Sequence, residues 1–570
     1  MTTVNAEPGI VLRLAPVLTV AVLILPVSAG VAGVALPAFG YLPALGGTRF
    51  TLAPWHALMA MPGIWHSAAL SFAAALVTAL CSFLLVQFFV AAWHGTRLFS
   101  MMQRALSPLL SMPHAAAAFS LAFLFAPSGW IMRLLSPWAT GLTRPPDLLV
   151  IHDQAGLAMM AGLIAKETPF LFLMTLAALP QTPALRLGQF ATSFGYGRIA
   201  GFFKVTLPLL YPQIRLPILA VIAYASSVVD VAIILGPTRP APLAVQLTRW
   251  MNDPDLALRF TASAGALLQL AVTASAIACW IGAERIAIAI SRRWRTDGRR
   301  LAKDGLVRFS IALATIALVG ALTLGLVVLA LWSVSGFWPF PDAFPPTVSL
   351  QTWMRALPQA RDAILTTIWV GLAALSVALV LTIACLERET RTGRQPAKAA
   401  LNLVYVPLLV PQVAFLFGLQ FLLLAAGLGT NAGALALVHF VLVLPYVFLS
   451  LGDPWRAWDP RYGHVAAGFG ARPSRVFWRI RLPMLVAPIL TAAAVGFAVS
   501  ASLYLPTLLI GGGRYSTITT EAVALASGGN RRLIAVYALM QMLLPLVGFA
   551  VAIAVPALLF RNRRTMRSAA

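Results

Sequence analysis

Carboxylates are scarce in this chain, which carries 17 Asp and Glu against 41 Lys and Arg among 570 residues, with only 10% of its residues charged. So low a share excludes an ordinary soluble domain, in which about a quarter of residues are charged. Three cysteines, Cys81, Cys279 and Cys385, stand far apart inside apolar segments, which excludes a disulfide framework and a zinc site. No G-x-x-x-x-G-K-[ST] phosphate loop occurs, so nothing here cradles a nucleotide for hydrolysis. GGGRYST, Gly511 to Thr517, is rich in glycine but lacks the lysine, and reads as a loop. No Ser-His pair or paired carboxylates fall on a common face, so no catalytic residue, metal site or cofactor is expected.

What the chain has instead is apolar length. Hydrophobic residues make up 60% of it and the mean hydropathy is +0.86, which makes it a membrane protein. The net charge of +24 comes from short basic runs between apolar segments, where they act as topology signals, and needs no nucleic acid to explain it. A bilayer core of about 30 Å takes about 20 apolar residues per helix. Twelve segments qualify: 15–37, 67–92, 107–127, 155–178, 213–236 and 262–284, then 309–333, 363–386, 401–425, 432–451, 486–510 and 534–559. The first is too long for a signal-peptide core and reads as a retained span. With both termini in the cytoplasm, most Lys and Arg fall on the inner side. The densest run, SRRWRTDGRRLAKDG, lies there between the sixth and seventh spans and reads as a linker between two halves.

Those halves are repeats. A constant shift carries Ala191 onto Ala466, Phe194 onto Phe469, Gly195 onto Gly470, Phe202 onto Phe477, Leu207-Pro208 onto Leu482-Pro483 and Ile214 onto Ile489. Six spans per copy give both copies the same orientation and enclose a path between them. The likeness is densest in an inner connector between the fourth and fifth spans. Each copy has a glycine for a sharp bend, then paired aromatics beside a cation (Phe202, Phe203 and Lys204; Phe477, Trp478 and Arg479), then Leu-Pro at the next helix start. The middle reads as a short surface helix whose aromatics need a covering surface.

These connectors resemble the EAA loop of binding-protein-dependent ABC importer permeases. Gln189-Phe-Ala191-Thr-Ser-Phe-Gly195 with Leu207-Pro208, and His464-Val-Ala466-Ala-Gly-Phe-Gly470 with Leu482-Pro483, keep the glycine and Leu-Pro spacing, while Gln189 and His464 replace the glutamate. The chain is similar throughout to fused permeases of ferric-iron and thiamine importers, and segments 226–245 and 504–532 look most like the YnjC-type inner-membrane permeases. The resemblance implies an all-α polytopic fold of twelve transmembrane helices in two parallel six-helix units, 1–290 and 308–570, joined by a basic linker, 291–307. It implies loops 189–208 and 464–483 that dock on cytoplasmic ABC ATPase subunits, two in number, and a periplasmic solute-binding protein on the far side. It places the chain in a bacterial inner membrane as a non-catalytic subunit carrying a small solute.

Charges at membrane depth are costly and invite a functional reading. Lys166 and Glu167 fall in the fourth span and Asp230 in the fifth, as path residues or as structural pairs, Lys166 with Asp230 or with a neighbouring carbonyl. Leu505 stands where the repeat would place Asp230, so the feature is asymmetric. Gln269 and Gln541 recur in the last span of each half, facing the path or bonding between helices. His114 and His439 read as satisfied buried histidines, since neither has a second ligand at helical spacing. A twelve-span secondary transporter driven by an ion gradient is the alternative, with Asp230 or Glu167 as its only coupling groups.

Overall fold

The computed structural model describes residues 10–181, 183–393 and 402–561, and within them the chain is helical, with two isolated bridges and no strand. Residues 1–9, 182, 394–401 and 562–570, which belong to the expected units and, at 401, to the ninth span, lie outside the described residues. Seventeen helices matter here. The first half has α1 (Ile10–Ala38), α2 (Ile64–Trp93), α3 (Arg97–Leu110), α4 (His114–Phe125), α5 (Leu157–Ala178), α6 (Leu207–Ser227), α7 (Asp230–Leu235), α8 (Leu243–Met251) and α9 (Leu258–Thr296). The second has α10 (Gly305–Val334), α11 (Arg361–Thr392), α12 (Val406–Leu409), α13 (Gln412–Ala425), α14 (Ala432–Arg456), α15 (Val486–Ser502), α16 (Leu505–Gly511) and α17 (Arg531–Leu559).

Ten helices among the described residues are long and apolar enough to cross a bilayer, or eleven if the pair Pro473–Met484 and Val486–Ser502, bent by 69°, is one span. The expected count of twelve continuous spans is therefore not reproduced. The ninth expected span holds only the one-turn helix α12 and the short apolar helix α13 among its described residues. Pro411, its N-cap, holds Val410 in an extended conformation that helices do not continue through. Pro113 interrupts the third expected span in the same way, between α3 and α4. The fifth span of each half is also broken, at Val228 and at Leu503, both extended.

Breaks at membrane depth free carbonyls that lipid does not satisfy. Side chains from neighbouring helices take them up. Lys166 Nζ donates to the carbonyls of Leu109 (3.2 Å) and Leu110 (2.9 Å) at the end of α3. Gln269 Nε2 donates to Ser226 O at 3.0 Å, at the break in the first half. Gln541 Nε2 reaches Thr519 Oγ1 at 2.8 Å, and that hydroxyl donates to Ala501 O, the repeat counterpart of Ser226. Both glutamines are fully buried and bond between helices.

The first helix of each half packs on the other half. α1 lies on α13 and α11, and α10 lies on α4 and α2. Small residues permit the close approach. A Cβ on Gly33 would meet Gly418 O at 2.7 Å, and one on Gly325 would meet Ser120 at 2.9 Å. Arg133 stitches the two halves at one end, donating to Pro339 O at 2.6 Å with its guanidinium 5.0 Å from the Trp338 ring.

Candidate functional site

The two connectors have matching backbones. In the first, helix Ala184–Ser193 ends at Gly195, φ +81°, and in the second, helix Arg461–Gly468 ends at Gly470, φ +76°. Tyr196 N–H donates to Ala191 O (3.2 Å) and Gly195 N–H to Thr192 O (3.0 Å). Ala471 N–H donates to Ala466 O (3.0 Å) and Gly470 N–H to Ala467 O (2.9 Å). This is a Schellman ending, and the left-handed residue it requires is why glycine stands at both positions. A short helix follows, Arg198–Gly201 or Pro473–Val476, then one π-type turn, Phe202–Thr206 or Phe477–Arg481. The turn has a local cause. Pro208 and Pro483 have no N–H for the carbonyl four residues back, and Leu207 and Leu482 donate five residues back instead, to Phe202 O and Phe477 O.

Side chains are less symmetric. Gln189 and His464, in the place of the EAA glutamate, are exposed and enter no ion pair among the described residues. Phe203 is half-buried, its ring 4.6 Å from that of Phe88, whereas Trp478 is exposed. Lys204 is buried and turned inward. Its Nζ lies 2.7 Å from Asp297 Oδ1 and 3.0 Å from Arg299 O, between the rings of Tyr196 and Trp294. That ammonium holds the Asp297 carboxyl below the usual carboxylate range. Arg479, its repeat counterpart, is exposed. The second connector is anchored by Arg481, which pairs with Glu387 and lies 4.3 Å from the Trp458 ring, while Glu387 also holds Arg391 at 2.7 Å.

The first connector also carries a strap made by the linker. Gly197 N–H donates to Arg300 O at 2.9 Å and Ile199 N–H to Asp304 Oδ2 at 3.3 Å. The basic run is helical through Thr296 and again from Gly305, so the strap is residues 297–304. Sequence reasoning did not single out Asp297, Asp304, Glu387 or Arg481. The signal available was their rarity, since each acid stands inside or beside a basic run. It also passed over Phe194 and Phe469, matched by the repeat and placed just before the bend glycine. They are 69% and 88% exposed, a pair of bare aromatic rings that a monomer rarely presents without a partner.

A second cluster lies inside the bundle. His114 Nε2 is 3.1 Å from Glu167 Oε1, and the His114 ring is 4.7 Å from that of Tyr224. Asp230 opens α7 beyond the break and accepts from Val231 N–H. Tyr224 lies in the field of both carboxylates, Tyr446 of α14 in that of Glu167, and Tyr504, at the break between α15 and α16, in that of Asp230. The cluster thus draws residues from both halves. Lys166 is bound to the α3 carbonyls rather than to Asp230. His439 belongs elsewhere, satisfied by Ser500 Oγ at 2.8 Å and Thr507 Oγ1 at 3.0 Å. Among the described residues no three His, Cys, Asp or Glu side chains converge to hold a metal ion.

No protein-family profile matches the chain. It is 31% identical over 508 residues to the inner membrane ABC transporter permease protein YnjC of Escherichia coli strain K12, an alignment covering 88% of this chain and 90% of that protein. It is 30% identical over 195 residues to the molybdenum transport system permease protein ModB of Mycobacterium bovis and of Mycobacterium tuberculosis, covering 32% of this chain and 70% of each of those. The long alignment takes in both broken-span halves and both connectors, and on it the chain belongs to the ABC transporter permeases, the non-catalytic membrane-spanning subunits of these transporters.

Proposed function

We propose that this permease serves an importer of the bacterial inner membrane, with both termini in the cytoplasm. Its two connectors, 189–208 and 464–483, are the sites at which two ATPase subunits engage it, and a periplasmic binding protein delivers a small solute to the opposite end. Units 1–290 and 308–570 rock about the strap and the crossed first helices, and alternate access follows from biasing that equilibrium at both ends. The observation that carries this reading is the matched pair of Schellman-terminated connectors with exposed Phe194 and Phe469. Family membership displaces the ion-driven alternative, for which Asp230 and Glu167 were the only material.

The contact groups of the first connector are Gln189, Gly195, Leu207 and Pro208 with Phe194 and half-buried Phe203, while Ala191, buried against Gly201, and Lys204 position the connector from within. Those of the second are His464, Ala466, Gly470, Trp478, Arg479, Leu482 and Pro483 with Phe469. In proteoliposomes with its ATPase subunits, the Phe194→Asp/Phe469→Asp permease should lose coupling of ATP hydrolysis to solute delivery while keeping its size-exclusion profile. Undiminished coupling would overturn the docking role. Glu167 and Asp230, with the tyrosines around them, line the path in this reading, while Lys166, Gln269 and Gln541 hold its broken spans. Asp230→Asn should then alter delivery and leave basal ATPase activity unchanged. Equal delivery by the variant would remove Asp230 from the path. The molybdenum in the name of the ModB proteins belongs to those proteins, and Glu167 and Asp230, with Lys166 and His114 beside them, do not assign it to this chain.

A further inference from the structure

The end of α2 remote from the connectors, about 45 Å along a helix of 30 residues, borders a cavity of about 550 Å³. Its lining includes Ser67 of α2, Thr238 and Arg239 of the loop after α7, and Gln246, Arg249 and Trp250 of α8. Every polar head group among these side chains is able to donate a hydrogen bond, and none is an acid. The guanidinium groups belong to exposed residues, and neither finds a carboxylate within ion-pair distance among the described residues. Arg249 Nη1 spends one donor on Thr238 O at 3.2 Å. The nearby acids are engaged with their own loop, Asp253 Oδ1 accepting from Asp255 N–H at 2.9 Å and Asp255 Oδ1 from Ala257 N–H at 3.0 Å.

Ser67 is the decisive member. The residue is 2% exposed, and its hydroxyl, open to the cavity it lines, makes no hydrogen bond among the described residues. The Gln246 side chain is likewise without one. Both groups are therefore open to the cavity and able to donate into it. Two guanidinium forks, a hydroxyl and an amide around one cavity match the several acceptor oxygens of a single anion, and the fork geometry suits planar or tetrahedral oxygen sets.

We propose that this cleft binds a small carboxylate or oxyanion. The site is single. Arg514 is the repeat counterpart of Arg239, but its guanidinium lies 5.8 Å from the Tyr515 ring, and Ala524 stands where the repeat would place Arg249. This assignment does not depend on the importer reading, because it is read on the permease alone.

Full-length protein in nanodiscs is titrated with sodium sulfate and sodium succinate, against sodium chloride at matched ionic strength, by calorimetry and thermal unfolding. Saturable one-to-one binding of sulfate or succinate is expected, weakened about tenfold or more in Arg239→Gln/Arg249→Gln and by several-fold in Ser67→Ala. Arg514→Gln should bind as the wild type does. Stabilisation that chloride reproduces, binding that survives the double substitution, or no saturable binding of either anion overturns the proposal. If the double variant does not fold, Ser67→Ala decides, and unchanged affinity in it counts against the site.

Discussion

Glu387 is 2% exposed and holds two arginines at once, Arg481 of the second connector and Arg391 one turn along its own helix. Removing one partner from such a group leaves a charge buried and uncompensated, which costs about 3–5 kcal/mol, whereas an apolar pair of similar size is often neutral. Glu387→Ala should therefore lower the thermal unfolding temperature strongly, and Glu387→Leu/Arg481→Met should recover most of the loss. A double variant no better than the single one would show that the pair has no such role. At this scale the sequence pointed to the right residue types but left their partners open. Lys166 was legible as a costly intramembrane charge, and carbonyl pairing was one of the options. That it caps α3 depended on where Pro113 broke the neighbouring helix.

At the scale of elements, the crossing of α1 over α13 rests on glycines facing each other's backbones. Gly418 has Gly30 O and Val34 N where a Cβ would sit, so a side chain there must push the two helices apart. Gly418→Leu should cost several kcal/mol by the overpacking and lost contact it forces, read as a drop in unfolding temperature. Gly320→Leu, on α10 with nothing within 4 Å of its Cβ position, is the control and should be nearly neutral. Equal effects would mean that the crossing contributes little. Spans were legible because twenty apolar residues have few other uses. The breaks at Val228, Leu503 and Val410 were not, because an apolar run scores as continuous whether or not its backbone is. Pro113 and Pro411 were the visible hints, yet prolines inside α1, α5 and α14 are accommodated within helices.

For the whole molecule, the exchange of first helices means that neither half buries its surface alone. Halves co-expressed with the chain cut inside the strap, between residues 297 and 304, should therefore co-purify through a tag on one of them. Failure to associate would show that the covalent linker, and not the crossing, holds them. The cut should still loosen the first connector, since the strap supplies the acceptors for Gly197 and Ile199 N–H and the partner of Lys204. Among the described residues the second connector carries no such strap, and Glu387 holds it through Arg481. Two connectors that a repeat makes alike in backbone are thus tied into the protein by different means.

The sequence by itself determined that the chain is an all-α membrane protein, that it is duplicated, and that its bend glycines and Leu-Pro pairs recur at matching spacing. These follow from local physics: hydropathy, left-handed backbone at Gly195 and Gly470, and the missing N–H of Pro208 and Pro483. Only the tertiary structure decided what those elements meet. Lys204 turned inward onto Asp297 while Arg479 stayed in the open, and Glu167 found His114 rather than Lys166. Gln269 and Gln541 closed the broken fifth spans. Each outcome depends on which distant backbone or charge lies within about 3 Å, a distance that spacing along a chain does not encode.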